Sequence, residues 1–215
     1  MLLNLAENYS VKILTIIFIL NYKLIRKYFE STMIRNFSAE SFTALTLLLT
    51  LLFADGNYAQ DKKIRVSPKA GVSQTVGLTD ISISYSRPGV KGRTIWGELV
   101  PYGKVWRAGA DEATKITFST DVLIEGKKLA AGSYSFFVIP NKNEWTVIFN
   151  KVSDQWGAFE YNESQDAIRF KVKPQTIDFQ EWLTYSFYKT SETSALISLV
   201  WEKMKIIFKV EGSKK

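Results

Sequence analysis

From Val72 onward, apolar residues recur at every second position in short runs, a period that suits a strand with one buried face and does not suit a helix. ISISYS (81–86) sets Ile81, Ile83 and Tyr85 on one side and three serines on the other. AIRFKVKP (167–174) turns Ile168, Phe170 and Val172 inward, and KIIFKV (205–210) does the same with Ile206, Phe208 and Val210. Three other runs, SYSFFVIP (133–140), EWTVIFN (144–150) and ALISLVWE (195–202), are apolar at consecutive positions and are expected to be covered on both faces. Pro140 with Asn141, Lys142 and Asn143 reads as a short turn, and Glu125-Gly126-Lys127 reads as a second, joining DVLIE to KKLAAGSYSF. About ten strands and almost no helical period predict an all-β fold, an antiparallel β-sandwich.

One stretch breaks the pattern. Residues 87–112, RPGVKGRTIWGELVPYGKVWRAGADE, hold five of the twelve glycines and two of the five prolines and have no period of two. A loop of this length inside a compact domain is usually functional or disordered. Trp96, Tyr102 and Trp106 argue for order, because large aromatics fix the backbone they pack against.

The chemistry open to the chain is narrow. The sequence contains no histidine and no cysteine. This excludes His-based triads, imidazole metal sites, thiolate chemistry, disulfides and a lipidated cysteine. No cofactor and no metal site is expected. The formal charge of +7 comes from 28 basic residues spread among 21 acidic ones, with no polybasic run, so a nucleic-acid partner is not expected.

Ser41 to Ala54, SFTALTLLLTLLFA, has the length of a signal-peptide core and is too short to span a membrane comfortably. Met33 and Arg35 precede it, and Ala59 fits the position before cleavage, although Asn57 departs from the small-x-small pattern. Residues 33–59 are therefore read as a signal peptide, and the mature chain as one β-sandwich domain over 60–215. Residues 1–32 read either as an extension upstream of a start at Met33, the favoured alternative, or as a hydrophobic anchor. Export to the periplasm or medium is expected, with no membrane span in the mature chain.

Three groups of residues could form a site. Arg87, Arg93 and Arg107 with Trp96, Tyr102 and Trp106 suit an anionic or carbohydrate-like ligand through bidentate hydrogen bonds and stacking. The alternative places the aromatics at one end of the sandwich, with the arginines bonded to loop carbonyls. Asp111 and Glu112 are adjacent, and in an extended segment they point to opposite sides, a poor acid/base pair for one glycosidic bond. The expectation is that Asp111 caps a turn while Glu112 pairs with Arg107 or Arg93. DQWGAFEYNESQDA (154–167) offers oxygen ligands without EF-hand spacing, and Trp156, Phe159 and Tyr161 as a sugar platform; a solvated loop is the plainer reading.

The run from Ser86 to Thr114, followed by AAGSYSFFVIP, EWTVIFN and DQWGAFEYN, resembles the uncharacterised bacterial family called domain of unknown function 2911. The resemblance covers roughly Ser67 to Val210. It implies an exported protein and supplies no established activity. The function expected is a non-catalytic binding or accessory protein of the cell envelope, with Arg93, Trp96, Trp106, Arg107, Asp111 and Glu112 as the ligand-binding residues. The alternatives are a carboxylate-dependent enzyme acting on glycans, with Glu112 and a second acid such as Glu98 or Glu160, or a structural envelope protein with no small ligand.

Overall fold

The structure is a computed structural model that describes residues 21–23, 27 and 64–214. The chain divides into two compact units, 1–62 and 63–215. In the first, residues 21–23 and 27 are helical and exposed. The expected signal segment (33–59), its cleavage site and nearly all of the 1–32 stretch lie outside the described residues. Among the described residues, no helix is long and apolar enough to cross a membrane.

The second unit is built almost wholly from antiparallel strands. They are β1 (Lys69–Val76), β2 (Thr79–Ser86), β3 (Thr114–Phe118), β4 (Val122–Ile124), β5 (Lys127–Leu129), β6 (Gly132–Ile139), β7 (Trp145–Asn150), β8 (Asp166–Val172), β9 (Gln175–Lys189) and β10 (Ser194–Glu211). A single 3-10 turn, Glu163–Gln165, precedes β8. Six strands form one sheet in the order β1-β2-β3-β6-β7-β8, and four form the other in the order β5-β4-β10-β9. The two sheets face each other across one apolar core, the expected sandwich.

The alternating runs behave as their period requires. Ile81, Ile83 and Tyr85 on β2 and Ile206, Phe208 and Val210 on β10 are buried. Phe208 stacks on Phe136 at 5.7 Å and meets Phe170 edge-on at 5.6 Å, so β10 of one sheet locks onto β6 and β8 of the other. The runs apolar at consecutive positions are explained by a second, smaller cluster. Phe137 and Ile148 point away from the main core and are buried with Ala113 beneath Val105, Ala158 and Tyr161. Residues 151–165 thus fold back over the outer face of the six-stranded sheet, which is why β6 and β7 carry apolar residues on both faces.

One boundary differs from the sequence reading. KKLAAGSYSF does not form a single strand. Lys127–Leu129 pairs with β4 in the four-stranded sheet, and Gly132–Ile139 begins again in the other. The β4–β5 turn is as expected, with Glu125 and Gly126 both at positive φ (48° and 76°), the geometry of a two-residue hairpin turn.

Candidate functional site

The 87–112 loop crosses one end of the sandwich and is tied to both sheets. At its start, Val90 N donates to Glu181 O and Leu183 N donates to Pro88 O, against β9. At its far end, Trp106 exchanges two backbone hydrogen bonds with Val138 of β6, at 2.8 and 2.9 Å. Between these ties, Trp96 packs at 4.6 Å from Trp145, with Trp106 and Trp201 beside it. Trp106 and Trp201 stack at 5.8 Å. Trp106 is only 8% exposed and Trp96 is half-buried. The loop aromatics therefore close the end of the core, and Trp106 offers little surface outward.

The arginines divide. Arg87 donates to Leu183 O and Thr184 Oγ1, and Arg93 donates to Val90 O (3.1 Å) and Gly89 O (2.6 Å). Both hold the loop through backbone or neighbouring oxygens. Arg107 makes no such bond, and its buried Nε has no hydrogen-bond partner, among the described residues.

The turn from Trp106 to Glu112 is tightly wound. Ala108 (φ 52°) and Asp111 (φ 55°) both adopt the left-handed conformation that side-chain-bearing residues seldom take. Ala108 O accepts from Thr114 Oγ1 at 2.9 Å and from the Tyr185 hydroxyl at 2.7 Å, and Ala110 N donates to Ser86 O. Trp106 Nε1 donates to Gly109 O. Backbone held this way against its preference is found where the surroundings over-determine it, often at ligand sites.

Positive φ at Asp111 overturns the expectation that the two carboxylates diverge. Arg65 Nη2 donates to Asp111 Oδ2 at 3.2 Å and to Glu112 Oε2 at 2.8 Å. Glu112 also accepts from Ser86 Oγ at 3.0 Å and lies 3.4 Å from Lys69 Nζ. The partner of Glu112 is thus Arg65, with Lys69, and not Arg107 or Arg93. Asp111 spends its side chain on Arg65 and does not cap its own turn; its backbone carbonyl accepts from Gly157 N. The Arg65 guanidinium, with Ser86 and Lys69, holds the Glu112 carboxyl down at about 2, against the opposing effect of its partial burial. Nothing in the sequence marked Arg65, which lies 46 residues from Asp111 in a stretch without strand period.

Two depressions flank this ion cluster. The first, about 280 Å³, is lined by Lys91, Arg93, Arg107 and Asp111 over a wall that includes Val100, Trp106 and Trp201. Three cations face one carboxylate there, and that carboxylate is already bonded to Arg65. Burial lowers the Arg107 pKa, and the Asp111 charge partly restores it; a guanidinium stays protonated regardless. The second depression, about 330 Å³, lies on the other side and is lined by Lys69, Ser84, Ser86, Glu112, Lys115, Asp154 and Trp156, with Gln155. Of the six predicted ligand-binding residues, Arg93, Trp106, Arg107 and Asp111 meet in the first depression, Glu112 faces the second, and Trp96 lines neither.

The acidic segment after β7 is largely engaged with itself. Asp166 accepts from Asn150 and from the Tyr161 hydroxyl, and it pairs with Arg169, which also holds Glu163. Glu98 and Glu160 are exposed, and neither lines the depressions that hold Asp111 and Glu112. A carboxylate fixed at about 2 is a poor general acid near neutral pH.

No curated protein and no solved structure matches the chain. Residues 67–210 match the family described as "Protein of unknown function (DUF2911)", a span that runs from the segment behind Arg65 through the cationic cleft to the end of β10, and the chain belongs to that family.

Proposed function

We propose that the protein is an exported, non-catalytic binding or accessory protein of the cell envelope, and that it takes an anionic ligand in the cleft beside Arg107. The ligand class is a small carboxylate-bearing molecule, such as an acidic sugar or a peptide terminus. The observation that carries this reading is the Arg107 guanidinium. It lines an open cleft with Lys91 and Arg93, and its buried Nε has no hydrogen-bond partner among the described residues. A buried donor left unmade costs about 1–3 kcal/mol, so it is retained most readily where a ligand satisfies it. The apolar wall of Trp106, Trp201 and Val100 adds the low-dielectric surroundings in which one charge-assisted hydrogen bond is strengthened. The depressed Glu112 carboxyl supports binding over hydrolysis at this end of the fold.

Titration calorimetry with oligogalacturonate, citrate and an acidic tripeptide tests the reading. At least one probe is expected to bind, and Arg107→Gln is expected to weaken it about tenfold or more. Because Arg107 Nε has no protein partner, the same substitution is expected to leave stability unchanged or to raise it by up to about 1 kcal/mol. Collapse of the fold in Arg107→Gln would assign the residue to structure. Binding that ignores the substitution would move the site elsewhere.

A further inference from the structure

The second depression carries its own chemistry, independent of the Arg107 cleft. Its base begins as a polar row across the outer face of the six-stranded sheet. Ser84 pairs in register with Lys115, Lys115 with Ser135, and Ser135 with Asn150. Ser135 and Asn150 are buried although they sit on the outer face, because the loop between β7 and β8 is bonded down onto them. Gln155 Nε2 donates to Ser135 Oγ (3.0 Å), Asn150 Oδ1 (3.2 Å) and Val152 O (2.8 Å). Asn150 Nδ2 donates in turn to Asn162 O and Asp166 Oδ1, each at 2.9 Å.

That anchoring fixes Trp156 from both sides. Ala113 N donates to Gln155 O at 2.9 Å, and Gly157 N donates to Asp111 O at 3.0 Å, so residues 155–157 form a short bridge against Glu112. The backbone around Trp156 is pinned by these bonds, yet the residue is 60% exposed, while the five other tryptophans are buried or half-buried. A backbone pinned on both sides of a large exposed apolar ring restricts where that ring can lie, which lowers the entropy lost when something stacks on it. Facing it are Ser84, Ser86, Lys69 and Lys115. The charges along the groove are matched: Lys115 pairs with Asp154, Lys69 with Glu112, and Arg65 with both Glu112 and Asp111. Gln155 Oε1, at the base, is buried and has no hydrogen-bond partner.

We infer that this groove is a saccharide-binding site, in which a neutral sugar ring stacks its apolar face on Trp156 while its hydroxyls meet Ser84, Ser86, Lys115 and Glu112. Compensated charge selects a hydroxyl-rich neutral ligand over an anion, and this sets the groove apart from the cationic cleft beside it. The volume of about 330 Å³ lies at the small end of the roughly 300–1,000 Å³ typical of ligand sites, enough for a short stretch of glycan with its remainder in solvent.

Affinity electrophoresis of the protein through gels containing xyloglucan, mixed-linkage β-glucan, galactomannan or polygalacturonate tests the inference. At least one neutral polysaccharide is expected to retard migration. Trp156→Ala should weaken that retardation about tenfold and Trp156→Phe by no more than about threefold, while Arg107→Gln leaves it unchanged. The matching soluble oligosaccharide should shift the emission of the native protein, and the shift should vanish in Trp156→Phe. If no neutral polysaccharide retards the protein, or if Trp156→Ala migrates as the native chain does, the groove is not a sugar site. Retardation by polygalacturonate alone, lost in Arg107→Gln and kept in Trp156→Ala, would sink the groove and leave the cationic cleft standing. Flotation with lipid vesicles that depends on Trp156 and Phe159, without retardation by any neutral polysaccharide, would reassign the exposed aromatics to a membrane surface.

Discussion

Glu112 concentrates the residue-scale argument. Its carboxyl sits at about 2 in the folded chain and near 4.5 when free of its partners. A lowered folded value means that the stabilisation is present above about pH 4.5 and is lost as the pH falls toward 2. Because the Arg65 and Glu112 side chains are 30% and 38% exposed, water screens the pair and the contribution is small. Acid titration of the native protein and Glu112→Gln checks this: the variant is expected to lose less stability between pH 4.5 and 2. Parallel curves would deny the linkage. Asp111 yields a second prediction from its left-handed backbone. Asp111→Asn, which tolerates φ of 55°, is expected to cost under about 1 kcal/mol, and Asp111→Val about 1–2 kcal/mol more, measured by denaturant unfolding. The same backbone angle explains why residue-level reading failed here. Adjacent carboxylates diverge on an extended strand, and no property of the letters D and E announces that the first of them turns left-handed toward an arginine 46 residues away.

At the scale of elements, most of the strands were legible because burial of one face imposes a period of two. ISISYS and KIIFKV needed only that rule. The consecutive apolar positions of β6 and β7 also pointed correctly to cover on both faces, but not to what provides the cover. The loop over 151–165 is polar in composition, and its hold on the sheet comes from Asn150 and Gln155, whose hydrogen bonds leave no periodic trace. The passage from β5 to β6 was equally silent, since Ala130 and Ala131 carry no turn chemistry to mark a change of sheet. Asn150 is fully buried, and its side chain is hydrogen-bonded to Val152, Gln155, Asn162 and Asp166. Asn150→Ala is therefore expected to cost about 2–3 kcal/mol and to speed amide exchange selectively over residues 151–165. Uniform acceleration across β2 and β3 as well would mean that the loop is not a separable unit.

For the whole molecule, the reading of residues 33–59 as a leader makes a direct prediction: the exported protein should begin at Gln60 on N-terminal sequencing, and a chain starting earlier would remove that cleavage site. The more searching question is whether the long loop is an appendage to the sandwich or part of its core. Trp96 and Trp106 come from the loop, Trp145 from the six-stranded sheet and Trp201 from the four-stranded sheet, and their ring centroids lie 4.6 to 6.0 Å apart in the contacts that join them. A loop that supplies two of four interlocked rings cannot leave without opening the end of the core between both sheets. Four of the six tryptophans sit in this cluster, so intrinsic fluorescence reports on the loop while far-ultraviolet circular dichroism reports on the strands. In urea the two signals should follow one transition with a common midpoint. Trp96→Ala should lower that midpoint by an amount equivalent to about 3–5 kcal/mol without separating the signals. Fluorescence changing ahead of circular dichroism in the native chain would show the loop melting from an intact sandwich, and the cationic cleft would then be a feature of a mobile segment instead of a pre-formed site.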